Sequence, residues 1–92
     1  MIQSFRGAEA QAIYDGKRSR RFGAIQKGIE RKLEMLDAAF KLDDLRSPPG
    51  NRLETLAGNR KGQHSIRIND QFRICFRWTS AGPEDVEIVD YH

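Results

Sequence analysis

The sequence predicts an α+β fold: a small twisted antiparallel β-sheet with two N-terminal helices packed on one face. Apolar residues recur at helical spacing through the first half of the chain. From Arg52 onward the apolar period falls to two. Short Gly-, Asn-, Asp- and Pro-containing turns separate the strands so marked, as in an antiparallel meander whose apolar face needs a helical cover. At 92 residues the chain makes one domain, residues 1–92, able to build a modest core without staples.

In chain order, "MIQSF" reads as a short first strand, with Ile2 and Phe5 as its apolar positions. "GAEAQAIYDG" sets Ala8, Ala12 and Ile13 at helical spacing and stops at Gly16. "KRSRR" follows as a basic loop. Phe22, Ile25, Ile29, Leu33, Leu36 and Phe40 then recur at steps of three and four, one stripe of an amphipathic helix, with Lys27, Glu30, Arg31 and Glu34 opposite. Pro48, Pro49 and Gly50 forbid its continuation, so "LDDLRSPPGNR" is a surface connection that opens with a helical turn. "RLETL" starts the alternation, and "AGNRKGQ" is a loop bounded by Gly58 and Gly62. "HSIRI" puts Ile66 and Ile68 on one face and Arg67 on the other. "FRICFRW" turns Phe72, Ile74, Phe76 and Trp78 inward, and Arg73, Cys75 and Arg77 outward. After the turn "TSAGPED", the last strand "VEIVDYH" has Val86 and Ile88 inward.

Composition narrows the function classes. Charged residues make up 32% of the chain, which suits a folded soluble domain. No apolar run is long enough to span a bilayer, so no membrane partner is expected. "MIQSFRGAEAQAIY" lacks the apolar segment of a secretory signal, and a cytoplasmic location is expected. The lone Cys75, flanked by apolar residues, reads as a buried small hydrophobe. With two His and no Cys cluster, neither a metal nor another cofactor is expected. The net charge is +3, unevenly spread. Lys17, Arg18, Arg20, Arg21, Lys27, Arg31 and Lys32 face one acid, Glu30, in their segment, whereas Glu84, Asp85, Glu87 and Asp90 follow the last arginine. Such basic excess favours a polyanionic partner.

The outward face of the sheet is where function can sit. Alternation brings Arg67, Arg73 and Arg77 to it, and sets Glu87, Val89 and Tyr91 on one side of the final strand. The loops "KRSRR" and "GNRKG" are expected to border it. Guanidinium groups hold phosphates and aromatic rings stack on bases, so this face suits single-stranded RNA. Asp90, Tyr91 and His92 continue a strand and should be held at the sheet edge. Metal-free RNA cleavage needs a base for the ribose 2′-OH, a proton donor for the leaving oxygen and positive charge at the phosphorus. His92 can give or take a proton, and Asp90 can act as base or orient an imidazole. Tyr91 can stack or hydrogen-bond, and Arg73 can supply the charge. Solvated arginines and a polar tail remain the plainer account of these residues taken singly.

The element order, "PPGNRLETLAGNRKGQHSIRINDQFRICF" and the terminal "VEIVDYH" together resemble the HigB-type branch of the RelE-like toxins, close to its chromosomal HigB/GraT subgroup. The resemblance covers nearly the whole chain. It implies the RelE-like microbial ribonuclease fold and the toxin of a type II toxin–antitoxin system. It also implies a ribosome-dependent, metal-independent endonuclease that cuts messenger RNA in the ribosomal A site through 2′-OH attack. The implied partners are the ribosome with its mRNA and a HigA-type antitoxin carrying a helix-turn-helix domain, the pair repressing its own operon. By position, the resemblance gives Arg73, Asp90, Tyr91 and His92 as catalytic residues, and it places Arg60 in the family's basic loop. Arg60, Lys61, Arg67 and Arg77 are taken as RNA-binding. Better known relatives carry a His and a Lys in the strand before that loop; Glu54 and Ala57 stand there here. Glu54 is a candidate base that also repels phosphate, and Lys61 or His64 could compensate. Alternation points His64 to the core side with Ile66, which favours a structural role. These departures leave open a weak nuclease or a non-cleaving inhibitor that only binds ribosome and RNA. A third reading is a basic face that chiefly docks an acidic antitoxin.

Overall fold

Period-two alternation yields four antiparallel strands, β1 (Glu54–Thr55), β2 (His64–Arg67), β3 (Phe72–Thr79) and β4 (Gly82–Asp90), paired in chain order. The computed structural model describes residues 1–91, and His92 lies outside the described residues. Ile66 pairs across from Ile74, which pairs across from Ile88, so one face of the sheet is apolar. Two helices cover that face, α1 (Ala8–Tyr14) and α2 (Gln26–Ala38). Ile13, Phe22, Ile29, Leu33 and Leu36 meet Ile66, Ile74, Phe76 and Val86 in the core. Phe22 packs edge-on against Phe72, with centroids 5.1 Å apart. Removing one such side chain, as in Leu33→Ala, costs about 2–5 kcal/mol.

Several boundaries differ from the sequence expectation. "MIQSF" forms no ladder; it makes one parallel bridge, Phe5 to Val86. The segment instead lines the outer edge of β4 by scattered bonds: Gln3 N–H donates to the Pro83 carbonyl at 2.7 Å, and Val86 N–H donates to that of Ser4 at 3.1 Å. Pro83 has no N–H to give, and Asp85 sits at φ 52 beside a register shift between Cys75 and Arg77, so a regular ladder cannot run there. The hairpin between β3 and β4 is tighter than "TSAGPED" implied, because β4 starts at Gly82. At Gly82 a Cβ would come within 2.2 Å of the Met1 carbonyl oxygen.

The long helix is shorter at both ends than its apolar stripe. Gly23–Ile25 is a 3-10 turn, and α2 stops at Ala38. The Asp44 carboxylate accepts from the Phe40 and Lys41 N–H groups at 3.0 and 3.2 Å and draws the chain away. Phe40, expected in the stripe, is therefore 97% exposed. The connection "LDDLRSPPGNR" does open with a helical turn, Leu42–Arg46, but it is not wholly superficial. Leu45 and Asn51 are buried. Asn51 Nδ2 donates to the Leu45 carbonyl at 3.1 Å, and its Oδ1 accepts from Lys32 Nζ. Burial lowers the Lys32 pKa, and Arg31 and Arg67 add to that.

Candidate active site

The open face of the sheet is organised around Arg73. Strand register sets Arg67, Arg73 and Val89 side by side across β2, β3 and β4, with Cys75 opposite Glu87 one step further. Arg73 is only 8% exposed, a burial a guanidinium tolerates when its donors are used. Nε donates to Ser65 Oγ at 2.8 Å, and one terminal nitrogen donates to the Arg52 carbonyl at 2.7 Å. The other lies 3.9 Å from the Glu54 carboxylate. The guanidinium carbon stands 5.7 Å from the centre of the Tyr91 ring, within cation–π range. Arg73 is thus fixed in plane by Ser65 and Arg52, and its remaining nitrogen faces Glu54.

Tyr91 is held where alternation places it. Its N–H donates to the Gln71 carbonyl at 2.6 Å, which prolongs the strand beyond Asp90. Asp90 pairs across from Phe72, one step out of phase with Arg73, and its carboxylate accepts from Gln71 Nε2 at 3.1 Å. Arg73 and Tyr91 therefore share a face, while Asp90 sits at the strand end next to them. An open groove of about 370 Å³ is lined by Arg60, Val89, Asp90 and Tyr91. Small-ligand pockets run from roughly 300 to 1,000 Å³, and the groove falls within that range.

The basic loop "GNRKG" borders this groove through Arg60. Arg60 donates to Gln63 Oε1 at 3.1 Å and to Glu87 Oε1 at 2.5 Å. The Glu87 hydrogen bond pushes the Arg60 pKa up. Gly62 closes the loop at φ +88, and a Cβ there would stand 2.8 Å from an Arg77 nitrogen. Arg77 lies 3.6 Å from Asp85, Arg67 is paired with Asp70, and Lys61 is exposed. The other basic loop, "KRSRR", is not at this face. The Gln26 side chain of α2 bonds the Ser19 N–H and the Lys17 carbonyl, and Arg21 pairs with Glu9 of α1, so the loop belongs to the helical layer.

One further candidate, His64, is set apart from Arg73 on the opposite face of the sheet. His64 pairs across from Phe76 on the core side, and its Nδ1 shares a 3.1 Å hydrogen bond with the Thr55 hydroxyl. Burial lowers its pKa. Cys75 is buried although it points to the open face, and burial pushes its thiol pKa up, so it stays a protonated thiol. Among the described residues, no group of three or more His, Cys, Asp and Glu side chains could hold a metal ion. Ser65 and the Arg52 carbonyl were missed by sequence reading. Ser65 shared the outward phase of Arg67, but a hydroxyl gives no sign that an arginine lies against it.

Comparison with known proteins identifies the family and the fold. A family model described as the RelE-like toxin of the type II toxin–antitoxin system HigB matches residues 3–92. Toxin HigB-1 of Vibrio cholerae is 54% identical over 83 residues, 88% of this chain and 87% of that protein. An uncharacterized protein of Haemophilus influenzae is 41% identical over 54 residues, 59% of this chain and 54% of that protein. Among solved structures, a chain of the YoeB–YefM complex from Staphylococcus aureus superposes with a TM-score of 0.62 at 19% identity, covering 100% of this chain and 98% of that one. That likeness shows the shared fold. With a four-stranded antiparallel sheet under two helices, and the family model spanning almost its full length, this chain belongs to the HigB-like branch of the RelE-like toxins of type II toxin–antitoxin systems.

Proposed function

We propose that this toxin arrests translation by cutting messenger RNA in the ribosomal A site, with Arg73, Asp90, Tyr91 and His92 as its catalytic residues. Arg60, Lys61, Arg67 and Arg77 bind the RNA. The observation that carries the reading is the Arg73 guanidinium fixed 5.7 Å from the Tyr91 ring, at the end of the strand that leads into His92. A base removes the proton of the ribose 2′-OH, and the freed oxygen attacks the adjacent phosphorus. The P–O5′ bond breaks, leaving a 2′,3′-cyclic phosphate and a 5′-oxygen that takes a proton. Arg73 offsets the charge that builds on the phosphoryl oxygens, and Tyr91 stacks on the neighbouring base. Glu54, 3.9 Å from Arg73, is the candidate for a compensating base. His92 is the candidate for delivering the proton, and Asp90 for acting as base or orienting that imidazole. The 92 residues act as a single cytoplasmic domain, and the antitoxin that restrains it is of the HigA helix-turn-helix type.

Mapping RNA 5′ ends on translating ribosomes tests this reading, with a chain lacking His92 as control. Cuts at the A-site codon that vanish on truncation are expected; intact mRNA with the wild-type chain defeats the assignment. A second reading is a ribosome-binding inhibitor without chemistry. It is favoured by Glu54 and Ala57 standing where relatives carry His and Lys. Single-turnover assays separate the two, because a blocker arrests translation while RNA length stays unchanged.

A further inference from the structure

Glu87 is an acid on the face that meets a polyanion. Its side chain is only 18% exposed and is turned onto Arg60, itself 31% exposed. Arg60 comes from the loop between β1 and β2, and Glu87 from β4 at the other edge of the sheet. The pair therefore bridges β2 and β3. Glu87 stands directly across from Cys75, which is fully buried although its strand phase turns it to the open face. The groove that holds Tyr91 is lined on its other flank by the same Arg60. Glu87 lies two and four residues before Val89 and Tyr91, so all three point to one face of β4.

A free arginine in a Gly-bounded loop would sample many rotamers at an entropic cost to each productive encounter. An acid beneath it holds the fork in one place. The same acid repels RNA, so its presence here sacrifices some affinity. On the reading that this site cuts mRNA, we infer that Glu87 is a positioning residue for the reaction. It aims the Arg60 guanidinium into the Tyr91 groove, where it meets a phosphate of the bound strand.

An acid that positions and an acid that only staples the fold give different kinetics. The experiment is single-turnover cleavage of mRNA on programmed ribosomes by the full chain and by Glu87→Gln, Glu87→Asp, Arg60→Ala and the Arg60→Ala/Glu87→Gln double variant. Melting curves accompany each protein. Glu87→Gln is expected to slow the saturating rate on the order of 10- to 100-fold, as loss of orientation does. Its half-saturating toxin concentration should be unchanged or lower, because a repulsive charge is gone. Glu87→Asp should recover part of the rate, and adding Glu87→Gln to Arg60→Ala should change the rate less than about twofold, as expected for two residues acting as one unit. The inference is overturned by a Glu87→Gln protein that cuts at the wild-type rate, by independent losses that multiply in the double variant, or by slowing that tracks a lower melting temperature without rescue by Asp. Absence of cutting by the wild-type chain removes the nuclease reading itself; normal wild-type cutting with any of those three results removes only the role of Glu87.

Discussion

Arg73 shows how a single side chain joins packing to the chemistry proposed for it. Its hydrogen bonds to Ser65 and the Arg52 carbonyl mean that Arg73→Ala does more than remove charge from a surface. It strands the buried Ser65 hydroxyl, at about 1–3 kcal/mol for a group left unpaired. Arg73→Lys is the cleaner probe. Lysine keeps the charge but cannot reproduce the planar fork. Cleavage on programmed ribosomes is expected to fall by roughly 100-fold with this variant, as it does when one oriented charge-stabilising donor is lost. His64 gives a prediction of another kind. Burial holds its pKa below the ordinary 6.5, so in the window just under that value the unfolded chain binds more protons than the folded one. Stability therefore rises with pH across that window, is complete above the unfolded pKa, and is lost as pH falls through the folded pKa. Urea unfolding from about pH 5 to about pH 8 should show a flatter rise for His64→Gln than for the wild type. That Arg73 and Tyr91 lie on one face followed from counting by twos. The partners that orient Arg73 did not, since Arg52 acts through its carbonyl and Ser65 through a contact eight residues away in sequence.

Elements were more legible in their middles than at their ends. The α2 stripe and the four alternating segments gave the helix and strands directly, because burial on one face imposes their period. Ends are set by local capping and by neighbours. Asp44 captures the Phe40 and Lys41 N–H groups, a competition between side chain and backbone that hydropathy does not register. The N-terminal segment carries strand residues but meets Pro83 and the Asp85 bulge, where a ladder cannot form. Asn51 is the strongest case of hidden structure. Inside a Pro- and Gly-rich stretch it is fully buried and ties α2 to the connection through Lys32, Leu45 and Ser47. Asn51→Ala is expected to destabilise the chain by about 1–3 kcal/mol. A thermal melt should fall by roughly 4–8 °C for each kcal/mol lost in a domain of this size.

At the scale of the whole molecule, the two layers divide the labour: helices seal the apolar face, and the opposite face is left to carry charge. Among the described residues no helix is long and apolar enough to cross a membrane. The basic excess is distributed between the layers, with "KRSRR" bound to the helices and Arg60 at the sheet. Binding to single-stranded RNA should weaken with salt, the logarithm of affinity falling with a slope of roughly −0.7 per phosphate contacted. Replacing Lys61 by Ala should lower that slope by about one contact, whereas replacing Arg18 should leave it unchanged, as titrations at several salt concentrations would show. By itself the sequence determined the α+β class, the polarity of each strand face, the family and the identity of the terminal residues, because hydrophobic period and motif are local properties of the chain. Only the tertiary structure decided which arginines are already paired, which basic loop reaches the groove, and that Glu87 clasps Arg60. Those outcomes depend on contacts between residues distant in sequence, whose distances and competing partners no one-dimensional pattern contains.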